Sequence, residues 1–68
     1  MDVIEKARIR ITNWIDHSEL HQKEYELFGD QMEKAGKKES SIHIMEMAAL
    51  SARGTECLRL ALKSLDKK

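Results

Sequence analysis

The sequence predicts an all-α fold, an antiparallel two-helix hairpin, and three observations support this. The 68 residues contain no proline and only three glycines, and Lys, Glu, Leu, Met and Ala, which favour helices, are abundant. Apolar side chains recur at alternating spacings of four and three residues, as on one face of a packed helix. One turn signal, at Ala35-Gly36, divides the chain. We therefore expect a single domain over residues 1–68.

Helix 1 is predicted over about residues 2–35 and helix 2 over about residues 39–65, with a turn at about 36–38. Asp2 is a typical helix N-cap, and Glu5 stands three residues later, as in a capping box. Gly36 can take the left-handed conformation that ends a helix, and Lys34 suits the negative end of the helix dipole. These signals set the helix boundaries.

A 4-3 repeat on each helix predicts the seam, the line along which the two helices meet. Gly54 is then expected opposite bulky residues of helix 1, where its bare backbone allows either close packing or a small ligand cavity. On helix 1 the repeat is Ile4, Ala7, Ile11, Trp14, Ser18, His21, Tyr25, Phe28, Met32 and Ala35. On helix 2 it is Ile44, Ala48, Ser51, Thr55, Leu58, Leu62 and Leu65.

A second apolar stripe on helix 2 predicts a homodimer. Helix 1 adds a weaker second stripe, Ile9, Leu20 and Leu27. One hairpin cannot cover four apolar helix faces, so two hairpins are expected to pack into a four-helix bundle. The alternative is that these are scattered surface side chains without a role. The predicted interface residues are Ile42, Met45, Ala49, Ala52 and Leu60.

The composition argues against several classes of function. Twelve basic residues balance twelve acidic ones along the chain, so we expect neither nucleic acid nor an anionic membrane as partner. No apolar run is long enough to span a membrane. The single cysteine and the start of the chain, which lacks a signal-peptide pattern, favour a reducing, cytoplasmic location. No phosphate-binding loop or nucleophile motif is present, so an enzyme is not expected.

The histidines are the candidate metal ligands. His17 and His21 lie four residues apart on one helix face and can both reach one ion. With a turn near Lys37, Cys57 comes close to His17 and completes a site for zinc or another divalent transition metal, bound by His17, His21 and Cys57. The alternatives are histidines with ordinary surface or structural contacts, and a protonation switch at His21 if it lies in the core.

His43 is too far along the helix to join the other two histidines within one hairpin. It can approach His17 of a second copy if two hairpins pack with their turns at opposite ends. Otherwise it is an exposed residue of helix 2.

The segment from Trp14 to His21, followed by Phe28, Ala35-Gly36 and an Ala/Leu-rich second helix, resembles a type of short prokaryotic helical-hairpin domain. Such domains carry a Trp-Ile-x-His-Asn-x-x-His-like segment and have no assigned function; this chain has Ser18 where that pattern has Asn. The resemblance implies the hairpin and directs attention to Trp14, His17 and His21. It implies no activity.

The sequence thus predicts a small non-enzymatic module for oligomerisation or protein interaction. The alternative function is binding of a metal or small ligand through His17 and His21, with Cys57 as a further ligand. No organic cofactor is expected.

Overall fold

In a computed structural model, which describes residues 2–66, the chain forms two antiparallel helices. Helix α1 spans Val3–Lys34 and helix α2 spans Lys38–Ser64. Each end of each helix lies one residue from its predicted position. No strand occurs between residues 2 and 66, so the predicted all-α hairpin is confirmed. Residues 1, 67 and 68, the ends of the predicted domain, lie outside the described part.

The hairpin is long and one helix thick. Its extents are 51 × 18 × 10 Å and its radius of gyration is 15.6 Å, whereas a compact domain of this length has a radius of about 11 Å. Folded domains normally bury their apolar surface between two packed layers. This chain supplies only one layer.

The predicted N-cap of α1 and the predicted turn glycine both form the expected hydrogen bonds in the structure. Asp2 Oδ1 accepts a 2.8 Å hydrogen bond from the backbone N–H of Glu5, which satisfies a donor that the first helical turn leaves free. Gly36 has φ 80°, and its N–H donates to the carbonyl of Glu33 while that of Lys37 donates to the carbonyl of Met32. This pair of bonds is a Schellman motif, and it ends α1.

The seam uses a different register on α1 from the predicted one. Ile15 and Gly29 are buried there, whereas Trp14 and Phe28 are half exposed and His21 is exposed. The assignment of Trp14, His21 and Phe28 to the seam was therefore wrong. The α1 residues that are buried or half-buried along the seam are Ile11, Ile15, Ser18, Gln22, Tyr25, Gly29 and Met32.

The size of the opposing side chains explains this choice. The two 4-3 repeats share Ile11, Ser18, Tyr25 and Met32 and differ by one residue at the positions between them. Because α2 presents small buried residues, Ser41, Ala48 and Thr55, the helices approach closely at Ser18 and Gly29 of α1, and Trp14 and Phe28 are left on its flank. The predicted repeat on α2, from Ile44 to Leu65, is buried or half-buried throughout.

Hydroxyl groups occupy the centre of the seam. Thr55 Oγ1 hydrogen-bonds to Ser18 Oγ at 2.6 Å and to the Ser51 carbonyl at 2.9 Å. Ser51 Oγ donates to the Ser18 carbonyl at 3.2 Å, and near the turn Ser41 Oγ donates to the Gly29 carbonyl at 2.7 Å. Across residues 2–66, every buried side-chain polar atom has a partner, as a stable interior requires.

Gly29, and not Gly54, is the glycine in close contact. A Cβ placed on Gly29 would lie 2.6 Å from Met45 Sδ and 3.5 Å from Ile44 Cγ2, while one on Gly54 would meet nothing within 4 Å. The expected packing of helix 1 against Gly54 was therefore wrong. The seam register explains the error, because it turns the bulky flank of α1 away from α2.

Two ion pairs join the helices on one side of the seam. Arg59 binds Glu19, and Arg8 Nη2 lies 2.9 Å from Asp66 Oδ1. The hydrogen bond that Arg8 donates to Asp66, together with the negative charge of Asp66, raises the pKa of Arg8 above its ordinary value. Both pairs are solvent-exposed, so each adds little to stability.

Among the described residues, neither helix has the length and apolar character needed to cross a membrane.

Candidate functional site

The candidate site is a depression of about 540 Å³ at the middle of α1, open to solvent. Trp14, His17, His21 and Tyr25 line it from α1, and Ser51 of α2 forms part of its base. The i, i+3 and i, i+4 spacing of these α1 residues places them on neighbouring turns of one helix flank. The depression therefore contains the segment that the sequence singled out.

His21 is held by two neighbours on its own helix. Its ring stacks on that of Tyr25, with centroids 6.3 Å apart and planes at 26°. Its Nδ1 lies 2.9 Å from Glu24 Oε1. When the imidazole is neutral and Nδ1 carries the proton, this hydrogen bond leaves Nε2 with a free lone pair. A carboxylate behind a histidine is the usual arrangement for orienting a metal ligand.

The other two histidines are both exposed. His17 lies one turn before His21 and lines the same depression. His43 is on α2 near the turn, where its Nδ1 lies 2.8 Å from Glu46 Oε1. His17 and His21 therefore share a site, while His43 has the same kind of carboxylate partner elsewhere.

Cys57 does not complete the predicted metal site within one chain. It is exposed and is not among the residues of the depression. Within residues 2–66, no group of three or more His, Cys, Asp or Glu residues is arranged to hold a metal ion. The seam register is the reason: Thr55 points at Ser18, and a residue two positions later is rotated by about 200° on a helix.

The hairpin has two unlike faces. Counted at 100° per residue, His21 lies about 90° to one side of the seam and Glu19 about 70° to the other. Because antiparallel helices place equal rotations on the same face, Glu19 and Arg59 share a face, as their ion pair requires. We call the side with Glu19, Lys23, Asp30, Glu56, Arg59 and Lys63 the charged face.

We call the opposite side the aromatic face. Within residues 2–66, its side chains with a full charge are Arg10 and Glu24, which share one heptad position with His17. Trp14, Phe28 and Met47 are 52%, 50% and 44% exposed there, which is unusual for large apolar side chains grouped on one surface. The face consists of Val3, Arg10, Trp14, His17, His21, Glu24, Tyr25, Phe28 and Met32 of α1 and of Met47, Gly54, Leu58, Ala61 and Leu65 of α2.

Of the interface residues predicted from the sequence, Ile42, Met45, Ala49 and Ala52 lie on the side of the charged face, whereas Leu60 points away from α1. Ile42, Met45 and Leu60 are exposed and Ala52 is half-buried. Sequence reasoning did not identify Met47 as a surface residue of interest, and it assigned Trp14 and Phe28 to the seam. The signal that could have found the aromatic face was the alternative 4-3 repeat through Ile15 and Gly29.

A family model described as a domain of unknown function (DUF8180) matches residues 7–65. The chain belongs to this family. The matched range contains nearly all of both helices, including the seam, both faces and the depression with His17 and His21. No curated protein and no solved structure matches the chain. A helical domain without an assigned function is what the sequence resemblance implied.

Proposed function

We propose that this chain is a non-enzymatic helical module that self-associates, with two hairpins packed face to face through the aromatic face as a four-helix bundle. The aromatic face is the observation that carries the proposal. It leaves Trp14, Phe28 and Met47 about half exposed. A large apolar side chain left wholly in water forgoes about 1.5–3 kcal/mol of burial energy, so each of these half-exposed side chains forgoes roughly half of that.

The total exposed surface area of the chain supports the proposal that a second copy packs on the aromatic face. The chain exposes 5518 Å², about 1,100 Å² more than the roughly 4,400 Å² of a compact monomer of this mass. A standard protein interface covers about 800 Å² per partner. The excess is therefore sufficient for one such interface.

A second hairpin fits the aromatic face in shape and chemistry. Two-fold symmetry brings a patch onto its own copy, so an apolar patch meets an apolar patch. The result is a two-layer bundle with the charged faces outside. The stripe Ile42, Met45, Ala49, Ala52 and Leu60 then remains on the outer side, and it is the competing interface in the test.

Two methionines provide a matched test. Met45 and Met47 are 42% and 44% exposed, stand two residues apart on α2 and point to opposite faces. Met47→Glu should convert the dimer to a monomer, because it buries a charge in the bundle core. Met45→Glu should leave the dimer intact, although it also removes the contact of Met45 with Gly29 in the seam. Light scattering at micromolar concentration measures the mass, and circular dichroism checks that both variants remain helical.

Two other outcomes would contradict the proposal: a different interface, or no self-association. If Met45→Glu alone gives monomers, the interface is the Ile42 to Leu60 stripe. If the native chain is a monomer at micromolar concentration, self-association is wrong, and the aromatic face must be covered by a different protein or left exposed.

A second function, metal binding, is favoured by one specific observation, the hydrogen bond between His21 and Glu24 beside His17. We also propose a reducing, intracellular setting, in which the exposed Cys57 thiol stays free. We further propose that the chain is related to the prokaryotic hairpins that carry a Trp-Ile-x-His-x-x-x-His segment.

A further inference from the structure

We infer that two copies of this chain build one site for a divalent transition metal of the zinc class, with His17 and His21 of each copy as its four ligands. The inference rests on the proposed face-to-face dimer and adds both a ligand and an orientation to it. It starts from the observation that residues 2–66 of one chain present two suitable ligands and no third.

The two imidazoles are accessible and pre-oriented. His17 and His21 are one turn apart, exposed, and line the same depression. His21 Nδ1 lies 2.9 Å from Glu24 Oε1, an outer-shell contact of the kind that orients a histidine and leaves its Nε2 as the metal ligand. Zinc prefers four ligands in a tetrahedron. A second pair of histidines is what the half-site lacks.

Symmetry supplies that pair when the hairpins pack with their turns at opposite ends. In this arrangement α1 lies antiparallel on α1 of the second copy. The midpoint of Val3–Lys34 falls between Ser18 and Glu19, and the midpoint of His17 and His21 is residue 19. In a fully overlapped dimer the two pairs therefore lie level to within about 1.5 Å along the helix axis.

The distance across the bundle also suits one shared ion. Packed helices have axes about 8–10 Å apart, and imidazoles projecting from both sides can span that gap. His21 projects about 90° from the seam, toward the second copy. Trp14 comes within about two residues of the level of the second copy's Tyr25, so aromatic rings flank the ion and limit access of water.

The alternative orientation gives no such site. With both turns at the same end, α1 lies over α2 of the second copy, and His17 and His21 face the region around Ser51 and Thr55, which offers no imidazole or carboxylate on the aromatic face. His43 lies near the Gly29 level of α1, as the bond from Ser41 to the Gly29 carbonyl indicates. In both orientations His43 is therefore far along the helix axis from the His17 and His21 pairs.

The experiment compares zinc binding and mass in the full chain. The chain is first freed of metal with EDTA and its mass measured by light scattering; zinc is then titrated by calorimetry, and cobalt by absorption, which reports tetrahedral geometry. The expected result is a metal-free dimer that binds one zinc per two chains. His17→Ala and His21→Ala should each weaken binding by more than the 10- to 100-fold typical of outer-shell changes.

His43→Ala is the matched control, since His43 has the same i, i+3 contact with a glutamate at nearly the same distance, 2.8 Å against 2.9 Å for His21. It should leave zinc affinity unchanged. Glu24→Gln should weaken binding by about 10- to 100-fold, whereas Glu46→Gln should not. A site formed by any exposed histidine would respond to all of these changes alike.

The outcomes separate this inference from the proposed function. A metal-free dimer that takes up no zinc, or one zinc per chain, overturns the shared site and leaves the dimer standing. A metal-free monomer that dimerises with half a zinc per chain overturns the apolar dimer but supports the shared site. A monomer that binds no zinc overturns both.

Discussion

Replacing Thr55 with valine should destabilise the hairpin by about 1 kcal/mol, although valine has the same shape and is more apolar. Thr55 is 4% exposed, and its hydroxyl hydrogen-bonds to Ser18 Oγ at 2.6 Å and to the Ser51 carbonyl at 2.9 Å. The variant removes the oxygen that joins the two helices at the midpoint of the seam.

The magnitude follows from three contributions. Loss of a hydrogen bond costs about 0.5–1.5 kcal/mol net, and leaving a buried partner without one costs about 1–3 kcal/mol. The Ser18 hydroxyl keeps contacts of 3.4 Å with Ser51, so its loss is partial. The added methyl group returns about 0.8 kcal/mol. The remaining loss of about 1 kcal/mol lowers the melting temperature of a domain this small by roughly 4–8 °C.

Thermal unfolding followed by circular dichroism tests this value, with protein concentration held constant because association shifts stability. The triple variant Ser18→Ala, Ser51→Ala and Thr55→Val is the control. It removes all the hydroxyl partners together, so it should unfold within about 1 kcal/mol of the native chain. If Thr55→Val is as stable as the native chain, or if the triple variant is the least stable of the set, the reasoning about unsatisfied hydroxyls is refuted.

Three other substitutions test single local features by the same measurement. Asp2→Ala should cost about 1 kcal/mol through loss of the helix cap, whereas Asp2→Asn retains an acceptor and should cost less; equal losses would show that the cap bond is unimportant. Gly36→Ala should cost about 1–2 kcal/mol, because φ 80° is strained for a residue with a Cβ. Gly54→Ala, made in the Met47→Glu monomer, should raise stability by up to about 1 kcal/mol, since alanine is the better helix former and no atom lies within 4 Å. A lower melting temperature would reveal a close neighbour of Gly54.

The pairing of His17 with His21 was predictable, whereas the inclusion of Cys57 was not. Residues four apart on a helix share a face whatever surrounds them, so the shared position of His17 and His21 follows from the local chain. Cys57 belongs to the other helix, and its position relative to His17 depends on how the helices slide and rotate against each other. Thr55 and Ser51 bonded to Ser18 fix that relation, and they turn Cys57 outward.

The sequence by itself determined the helices and the turn. The contacts that set their ends lie within one turn of the chain: Asp2 with Glu5, and Gly36 with Glu33. Such signals act through local backbone hydrogen bonds and backbone conformation, so they do not depend on what the helix packs against.

Only the tertiary structure decided which side of α1 meets α2. Repeats through Trp14 and through Ile15 satisfy the same 4-3 spacing, and the spacing does not distinguish them. The choice comes from closeness of approach: small residues on both helices, with Ser41 bonded to the Gly29 carbonyl, allow contacts that aromatic rings would prevent. This packing leaves Trp14, His21 and Phe28 on the outside, where they form the surface on which the proposed function depends.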